Sequence, residues 1–209
     1  MTTQSIRVGV VGVGYLGAIH ARIYAAMPGV ELMGVTDIDP YAATRVAEEC
    51  GCSAYNEPEA LLDKVDAVSI VVPTSSHRVV AEPYLRHGMH VLLEKPIADH
   101  LTNARAIVKA AEETGVILQI GHLERFNAGV VRLVQELDRP RFIEVHRLGP
   151  FVSRAADVDV VTDLMIHDID IVLSLVTADL TYVSAVGARV VSAHVDIANA
   201  RLEFADGTI

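Results

Sequence analysis

A glycine-rich stretch near the N-terminus constrains the fold of this chain more than any other feature. Residues 6–11 are an apolar run typical of a strand, and they lead directly into Gly12-x-Gly14-x-x-Gly17, after which a helical pattern begins. The glycine pattern alone is weak, but a strand before it and a helix after it are the context of a dinucleotide-binding turn. Asp37 ends the next apolar run, 20 residues after Gly17, which is the usual distance to the acid that binds a ribose.

Each residue of this pattern has a physical role at a phosphate site. Gly12 permits a tight turn, Gly14 lets backbone approach a pyrophosphate, and Gly17 lets the helix pack against the strand. The N–H groups and the positive dipole end of the helix would face the phosphates. Asp37 would accept hydrogen bonds from ribose hydroxyls and repel a 2′-phosphate, which favours NAD over NADP. The predicted cofactor residues here are Gly12, Gly14, Tyr15, Leu16, Gly17 and Asp37.

Two other interpretations of the glycine stretch stay open. One is a strand–helix turn that binds no ligand. The other is a site for a different adenosine compound, such as S-adenosylmethionine.

Composition narrows the class of protein. The chain has 209 residues, 51% hydrophobic and 21% charged, which is typical of a globular protein. Its formal net charge of −10 argues against general binding to nucleic acid or to anionic membranes. Cys50 and Cys52 are too few for a disulfide framework and are expected to be free thiols of a reducing compartment. No apolar run reaches membrane-spanning length and no signal peptide is recognisable, so the expected location is the cytoplasm.

Strands alternate with helices through residue 120, which predicts a doubly wound parallel sheet. Ligands of such sheets bind outside the carboxyl ends of the strands, so the segments after those ends are expected to line one crevice. The predicted elements are strands at 6–11, 30–36, 53–55, 67–72, 90–93 and 116–120 and helices at 15–27, 40–50, 57–63, 77–87 and 103–114, the last capped by Thr102.

The pattern changes beyond residue 122, which predicts two domains, 1–122 and 123–209. The second is expected to be α/β with helices at 127–137 and 163–176 and strands at 141–149, 181–193 and 195–205. Ala205-Asp206-Gly207 is a turn signal close to the last residue. A turn without a returning strand would leave an unpaired sheet edge, so the second domain is expected to be incomplete.

Glu94-Lys95-Pro96 follows a predicted buried strand directly, where packing does not call for charge. Lys95 would lie near a bound nicotinamide and could move a proton or orient a hydroxyl, because a partly desolvated lysine lowers its pKa readily. A surface turn with a salt bridge is the plainer explanation of this tripeptide alone.

Asp163 and His167 are four residues apart in a helical pattern and would share one helix face. A histidine with a carboxylate one turn away can act as an acid–base group near neutral pH. A metal site is a second interpretation, although hydride chemistry needs no metal, and we predict none. An ordinary charged helix surface is a third.

The segment between the two predicted domains is rich in groups that could reach a substrate. His122, Arg125 and Asn127 are the candidates there, and the fork of Arg125 suits an anion. Arg147 and Arg154 are weaker candidates of the same kind. The alternative is packing at a domain junction, with Arg125 paired to Glu124.

Taken together and in this order, these motifs resemble the Gfo/Idh/MocA family, the glucose–fructose oxidoreductase and inositol dehydrogenase group. The resemblance implies an N-terminal Rossmann domain, a C-terminal α/β domain with a largely antiparallel open sheet, and NAD(P)-dependent chemistry at a sugar or cyclitol carbon. It also implies longer chains and homodimers or homotetramers formed through the open sheet face. The motifs are Gly12-x-Gly14-x-x-Gly17, Pro73-Thr74…His77, Glu94-Lys95-Pro96, Gly121…Arg125-Phe126-Asn127 and Asp163-x-x-x-His167.

The resemblance also implies roles for single residues. Lys95 matches the family's catalytic lysine, and Asp163 and His167 match the pair that flanks the reacting hydroxyl. Thr74, His77 and Glu94 match cofactor-side positions, as does Lys95. The family often has Gly-Gly shortly before its aspartate, whereas this chain has Asp157-Val158-Asp159-Val160-Val161-Thr162, which leaves the sugar open.

More narrowly, the segments 121–127 and 164–170 look like the branch of this family that contains UDP-N-acetylglucosamine 3-dehydrogenases of lipid A biosynthesis. The expected function is therefore oxidation of the 3-hydroxyl of a UDP-N-acetylhexosamine with hydride transfer to NAD. Whether Lys95 or His167 takes the proton stays open. The alternatives are a dehydrogenase of a free sugar or inositol and, in a different class, a non-catalytic dinucleotide sensor.

Overall fold

Short apolar strands separated by helices build the N-terminal half of the chain. The computed structural model describes residues 5–149 and 159–209. The strands of this half all pair in parallel, in the order β3-β2-β1-β4-β5-β6. They are β1 (Ile6–Val11), β2 (Val30–Thr36), β3 (Ser53–Tyr55), β4 (Ala67–Ile70), β5 (His90–Leu93) and β6 (Leu118–Ile120). The predicted doubly wound parallel sheet is confirmed.

The strand order reverses between β1 and β4. From β1 the chain moves outward through β2 and β3, then returns to the other side of β1 with β4. The carboxyl ends of β1 and β4 therefore border the crevice where ligands of such sheets bind. The helices between the strands are α1 (Tyr15–Ala26), α2 (Pro40–Cys50), α3 (His77–Arg86) and α4 (Leu101–Thr114), with short 3₁₀ turns at Pro58–Lys64 and Thr74–Ser76.

Two apolar clusters pack on opposite faces of this sheet, because successive residues of a strand point to opposite sides. Val10 belongs to a cluster with buried residues of α1 and α2, and its neighbour Val11 belongs to one with buried residues of α3 and α4. Tyr84, Leu85 and Ile107 are fully buried in the second cluster. This two-sided burial explains why the strands read as continuous apolar runs.

One predicted helix start is wrong. Helix α4 begins at Leu101 with His100 as its N-cap residue, which makes no capping side-chain bond, so Thr102 lies inside the first turn. The start of α2 follows the rules closely, since Asp39 accepts a hydrogen bond from the backbone of Tyr41 with Pro40 in the first turn.

The C-terminal half has different architecture. Its elements are α5 (Ala128–Glu136), a π-helical turn (Val161–Met165), α6 (Ile166–Leu175), β7 (Leu180–Ala188) and β8 (Ile197–Phe204). Strands β7 and β8 pair antiparallel, in agreement with the expected antiparallel sheet. The chain divides into two compact units, Met1–Gly121 and His122–Ile209.

The strand predicted over 141–149 is wrong, because these residues have no regular secondary structure. Within the described part of the chain, this segment makes two backbone hydrogen bonds, from Ile143 N to Ile209 O (2.9 Å) and from Ile209 N to Arg141 O (3.3 Å). Two bonds to one residue do not make a ladder, even where the sequence alternates. Among the described residues, no helix is long and apolar enough to cross a membrane.

Candidate active site

The glycine turn after β1 has the geometry that the sequence predicts. Gly12 has φ +82°, and a Cβ there would lie 2.4 Å from the carbonyl oxygen of Val71. A Cβ at Gly17 would lie 1.8 Å from the carbonyl oxygen of Gly12, so only glycine permits this contact between helix and turn. A Cβ at Gly14 would meet nothing within 4 Å. The turn therefore needs Gly12 and Gly17 for folding and leaves open space at Gly14.

Helix α1 begins at Tyr15, immediately behind that open space, and Gly14 caps it without a side-chain bond. The side chains of Tyr15 and Leu16 are exposed. A helix start of this kind presents backbone N–H groups and a positive dipole end. These features fit a pyrophosphate.

Hydrogen bonds from the backbone hold the carboxylate of Asp37 beside the glycine turn. Its Oδ2 accepts a hydrogen bond from the Val13 backbone N–H at 2.6 Å, and its Oδ1 accepts one from the Asp39 N–H at 2.9 Å. A carboxylate oxygen has two acceptor sites. Each oxygen of Asp37 can therefore still accept a bond from a ribose hydroxyl.

The loop after β4 carries Thr74 in its 3₁₀ turn and His77 at the start of α3. Thr74 is half-buried, but His77 is only 1% exposed. Its Nδ1 lies 2.9 Å from the carbonyl oxygen of Pro96, and its Nε2 lies 3.0 Å from that of Val72. The enclosed ring joins two loops, and the cofactor-side role of His77 remains a prediction.

Glu94 follows β5 and is also interior, with 8% of its surface exposed. Its Oε2 accepts a hydrogen bond from the Lys95 backbone at 3.3 Å, and its Oε1 lies 3.4 Å from Nε2 of His20. Burial raises the pKa of Glu94 above its ordinary value. Its carboxylate is largely buried, and the cofactor-side role of Glu94 remains a prediction. A Cβ at Gly121 would lie 2.8 Å from Oε1.

Lys95 is half-buried at the carboxyl end of β5 and is followed by a cis peptide bond to Pro96. It therefore lies at the edge of the sheet at which the sequence predicts the reaction. The glycine turn, Asp37, Thr74 and Lys95 all follow carboxyl ends of strands in the same sheet.

The arginine predicted as an anion clamp has a protein partner. Arg125 donates from Nε and Nη2 to the two carboxylate oxygens of Asp170, each at 2.6 Å, and Asp170 is buried. This bond with Asp170 raises the pKa of Arg125. The ion pair is made with Asp170 and not with Glu124, and it neutralises the charge that an anion would need. Nδ1 of His122 lies 4.0 Å from the same carboxylate.

Asn127 also has a structural task. Its side-chain oxygen accepts a hydrogen bond from the Gly129 N–H at 2.9 Å and caps α5. Substrate contacts by His122, Arg125 and Asn127 remain predictions, and Arg154 lies outside the described residues.

Asp163 and His167 lie in one continuous helical segment of the second unit. Asp163 is in the π-helical turn and His167 is in the first turn of α6, and both are half-buried. The α-helix expected from residue 163 is thus corrected at its start, and π-helical turns frequently occur at functional sites. Within residues 5–149 and 159–209, no group of three or more His, Cys, Asp or Glu side chains is arranged to hold a metal ion.

The second unit also contains a cavity of about 410 Å³. Its lining includes Phe142, Met165 and the Arg147–Asp168 ion pair. Arg147 was a weaker substrate candidate, but its guanidinium is paired with Asp168, and the main predicted site residues do not line the cavity. We therefore do not assign the proposed chemistry to it.

Sequence reasoning missed His20 and Asp170, which contact the predicted site residues Glu94 and Arg125. It also missed Ser69, which contacts His20. Ser69 interrupts the apolar run 67–72, and that break was a usable signal. His20 lies on the buried face of α1, where a polar residue is equally unexpected.

Comparison with known proteins decides the family. The oxidoreductase family with an NAD-binding Rossmann fold matches residues 6–122. The chain belongs to this family. The Rossmann fold of this family binds NAD, which is the cofactor that the glycine turn and Asp37 indicate.

Among similar proteins is a UDP-N-acetylglucosamine 3-dehydrogenase from Acidithiobacillus ferrooxidans, 43% identical over 205 residues. The match covers 98% of this chain and 65% of the relative, and the relative's solved structure superimposes with a TM-score of 0.92. The scyllo-inositol 2-dehydrogenase of Bacillus subtilis is 31% identical over 88% of this chain and 58% of its own length.

The scyllo-inositol dehydrogenase of Lactobacillus casei, solved with bound NAD(H) and scyllo-inositol, shares the fold at 24% identity. Its TM-score is 0.86, and the match covers 98% of this chain and 67% of that chain. The chain spans 65% and 58% of the lengths of the two curated relatives above.

Proposed function

We propose that this protein is an NAD-dependent dehydrogenase that oxidises the 3-hydroxyl of a UDP-N-acetylhexosamine. The observation that carries the proposal is the 43% identity to a UDP-N-acetylglucosamine 3-dehydrogenase, which extends over 98% of the chain. It therefore spans both the Rossmann unit with Lys95 and the helical segment with Asp163 and His167.

In this proposal the first unit holds the dinucleotide. The open space at Gly14 and the start of α1 accept the pyrophosphate, and Asp37 accepts the ribose hydroxyls. The bound cofactor supplies an acceptor for hydride. The half-buried loop residue Thr74 and the half-buried Lys95 complete the proposed cofactor side.

The chemistry balances with one base. The C–H bond of the carbinol carbon breaks and its hydride leaves for the nicotinamide, while the hydroxyl proton passes to Lys95 or His167. The products are a ketone, NADH and a protonated side chain. Asp163, four residues before His167, orients the acid–base group. Positioning of the donor carbon supplies the main part of the rate.

The direct test is NADH formation by the purified protein with NAD and UDP-N-acetylglucosamine. A thermal-shift series with NAD, NADP, and NAD plus the UDP-sugar accompanies it, because a ligand that binds the folded state raises stability. A shift with NAD and a further shift with the UDP-sugar support the proposal. No shift with either dinucleotide contradicts it.

Lys95→Ala tests the proposed base. General acid–base catalysis contributes about 10²–10⁴-fold, so we expect turnover to fall by a factor in that range while the Kd for NAD stays nearly constant. Equal loss of turnover and NAD binding would show that Lys95 acts through cofactor binding and would contradict its role as the base.

A second candidate function is oxidation of a free sugar or inositol, which the 31% identity to scyllo-inositol 2-dehydrogenase favours. A rise in melting temperature with NAD, but none with UDP or the UDP-sugar, would favour this second function. A non-catalytic dinucleotide sensor is a third, and turnover with any sugar would exclude it.

The proposal includes a cytoplasmic location and a homodimer or homotetramer. Two free thiols support a reducing compartment. The exposed side chains of Tyr182, Val183 and Val186 on β7 support association through that sheet. Light scattering of the purified protein tests the oligomer, and a monomer at all concentrations would contradict it.

A further inference from the structure

A group of polar side chains lies buried at the end of β5, and the proposed chemistry does not use it. Nδ1 of His20, on α1, lies 2.8 Å from Oγ of Ser69, on β4. Nε2 of the same ring lies 3.4 Å from Oε1 of Glu94. The side chains of His20 and Glu94 are each 10% exposed. Glu94 immediately precedes Lys95.

Stability does not explain this group. Burying ionisable side chains costs free energy, and apolar residues of similar volume are often as stable or more so. Burial lowers the pKa of His20 and raises that of Glu94, so both side chains are biased toward their neutral forms. The fold also keeps space for the Glu94 carboxylate, because a Cβ at Gly121 would lie within 3.0 Å of both its oxygens.

A second buried histidine holds the other neighbour of Lys95. His77 is 1% exposed, and its Nδ1 lies 2.9 Å from the carbonyl oxygen of Pro96. Its Nε2 lies 3.0 Å from the carbonyl oxygen of Val72, at the end of the loop that follows β4. The ring thus ties the turn after Lys95 to the neighbouring strand end.

We propose that His20 and His77 are positioning residues for Lys95, His20 acting through Glu94 and His77 acting through the backbone of Pro96. The two histidines act on opposite sides of one residue, so together they fix the backbone from which the Lys95 side chain projects. A misplacement of about 1 Å far from the chemistry can cost about 10²-fold in rate. The proposal rests on the proposed function, in which Lys95 is catalytic.

Replacing each histidine by asparagine or by glutamine tests the contacts of its two ring nitrogens separately. An asparagine amide reaches the position of Nδ1, and a glutamine amide reaches that of Nε2. His20→Asn therefore keeps the Ser69 partner and loses Glu94, whereas His20→Gln keeps a donor toward Glu94. We expect kcat to fall about tenfold or more in His20→Asn, with the Kd for NAD within about twofold, and His20→Gln to recover most of the loss.

His77 should show the opposite preference. His77→Asn keeps the contact to Pro96, whereas His77→Gln keeps only the one to Val72, so the glutamine variant should lose more turnover. If His77 has only a structural role, turnover in both variants should fall in step with their loss of thermal stability. The exposed His100, changed to Asn, is the matched control for loss of an imidazole.

A readout without substrate keeps this inference separate from the proposed function. Lys64, Lys95 and Lys109 are the lysines of the sequence. Competitive acylation, followed by mass spectrometry, gives the pH dependence of Lys95 reactivity against the other two amines as internal references. We expect the Lys95 profile to shift in His20→Asn and to return toward wild type in His20→Gln. If no sugar is oxidised, the proposed function fails, but this profile still decides the positioning role.

Gly121→Ala provides a second perturbation that leaves His20 intact. It crowds the Glu94 carboxylate directly, so it should shift the Lys95 profile in the same sense as His20→Asn. The proposal is overturned if folded His20→Asn and Gly121→Ala both leave the Lys95 profile unchanged, or if the asparagine and glutamine variants of each histidine behave alike.

Discussion

Asp37 combines a structural bond with its proposed binding role. Its carboxylate accepts the Val13 N–H at 2.6 Å, and in the proposal its remaining acceptor sites bind the ribose hydroxyls. A hydrogen bond to a charged group contributes about 1.5–3 kcal/mol. We therefore expect Asp37→Ser to weaken NAD binding about tenfold, to reduce discrimination against NADP, and to lower the Tm of the cofactor-free protein. Titration of each dinucleotide measures the first two effects.

Asp39→Ser is the matched control for this change. It removes a carboxylate two residues away, but serine also caps helices well, so the start of α2 is kept. Loss of NAD preference in Asp39→Ser equal to that in Asp37→Ser would show a general charge effect and contradict the specific role of Asp37.

Cys52 provides a residue-scale test of burial. Desolvation raises the pKa of its thiol from 9.0 to about 11. Between these values the unfolded chain loses the proton while the folded protein keeps it, so the free energy of unfolding should fall as pH rises from 9 to 11. We expect Cys52→Ser to flatten this fall, measured by chemical denaturation at several pH values. An identical slope in the variant would contradict the desolvation of the Cys52 thiol.

At the scale of elements, two glycines of the β1–α1 turn have different roles, one in folding and the other in the proposed cofactor binding. Gly17→Ala would place a Cβ 1.8 Å from the Gly12 carbonyl oxygen, whereas Gly14→Ala meets nothing within 4 Å. Overpacking costs about 1–3 kcal/mol or more, so Gly17→Ala should lower the Tm by several degrees. Gly14→Ala should keep the Tm and weaken NAD binding. Equal Tm values for the two variants would show that the contact at Gly17 relaxes freely.

The elements of the Rossmann unit could be predicted because their signals are local. Buried parallel strands read as apolar runs, and Gly51 and Gly115 end α2 and α4 in the left-handed conformation, as helix-stop rules predict. Residues 141–149 alternate like a strand but make only two backbone bonds to Ile209. Alternation records which side chains share a face, whereas a strand also requires a partner along its length.

The candidate site was less predictable because many of its contacts join residues that are far apart in the sequence. The residues proposed to bind through their own backbone, such as Gly12 and Gly14, are visible in a short motif. His20 and Ser69 are 49 residues apart, and Arg125 and Asp170 are 45 apart. No local pattern specifies such pairs, and none shows that the His77 ring is enclosed between two carbonyl oxygens.

For the whole molecule, the net charge of −10 should oppose an anionic substrate. The Debye length falls from about 30 Å to about 10 Å between 0.01 and 0.1 M salt, which screens this repulsion. We expect KM for a UDP-sugar to fall about two- to threefold over that range, with little change for an uncharged cyclitol. Steady-state kinetics at constant pH measure both, and a KM that rises with salt would indicate a local basic cluster at the site.

The double use of Asp37 limits how this chain can evolve. A lineage under selection for NADP would first replace the acid that repels the 2′-phosphate, but that step also removes the hydrogen bond between Val13 and the Asp37 side chain, directly after β2. The intermediate would carry a loosened turn before any gain in the new cofactor, and a second, compensating change would have to arrive with it. Coenzyme preference is thereby inherited together with the shape of the turn, and the two change only as a pair.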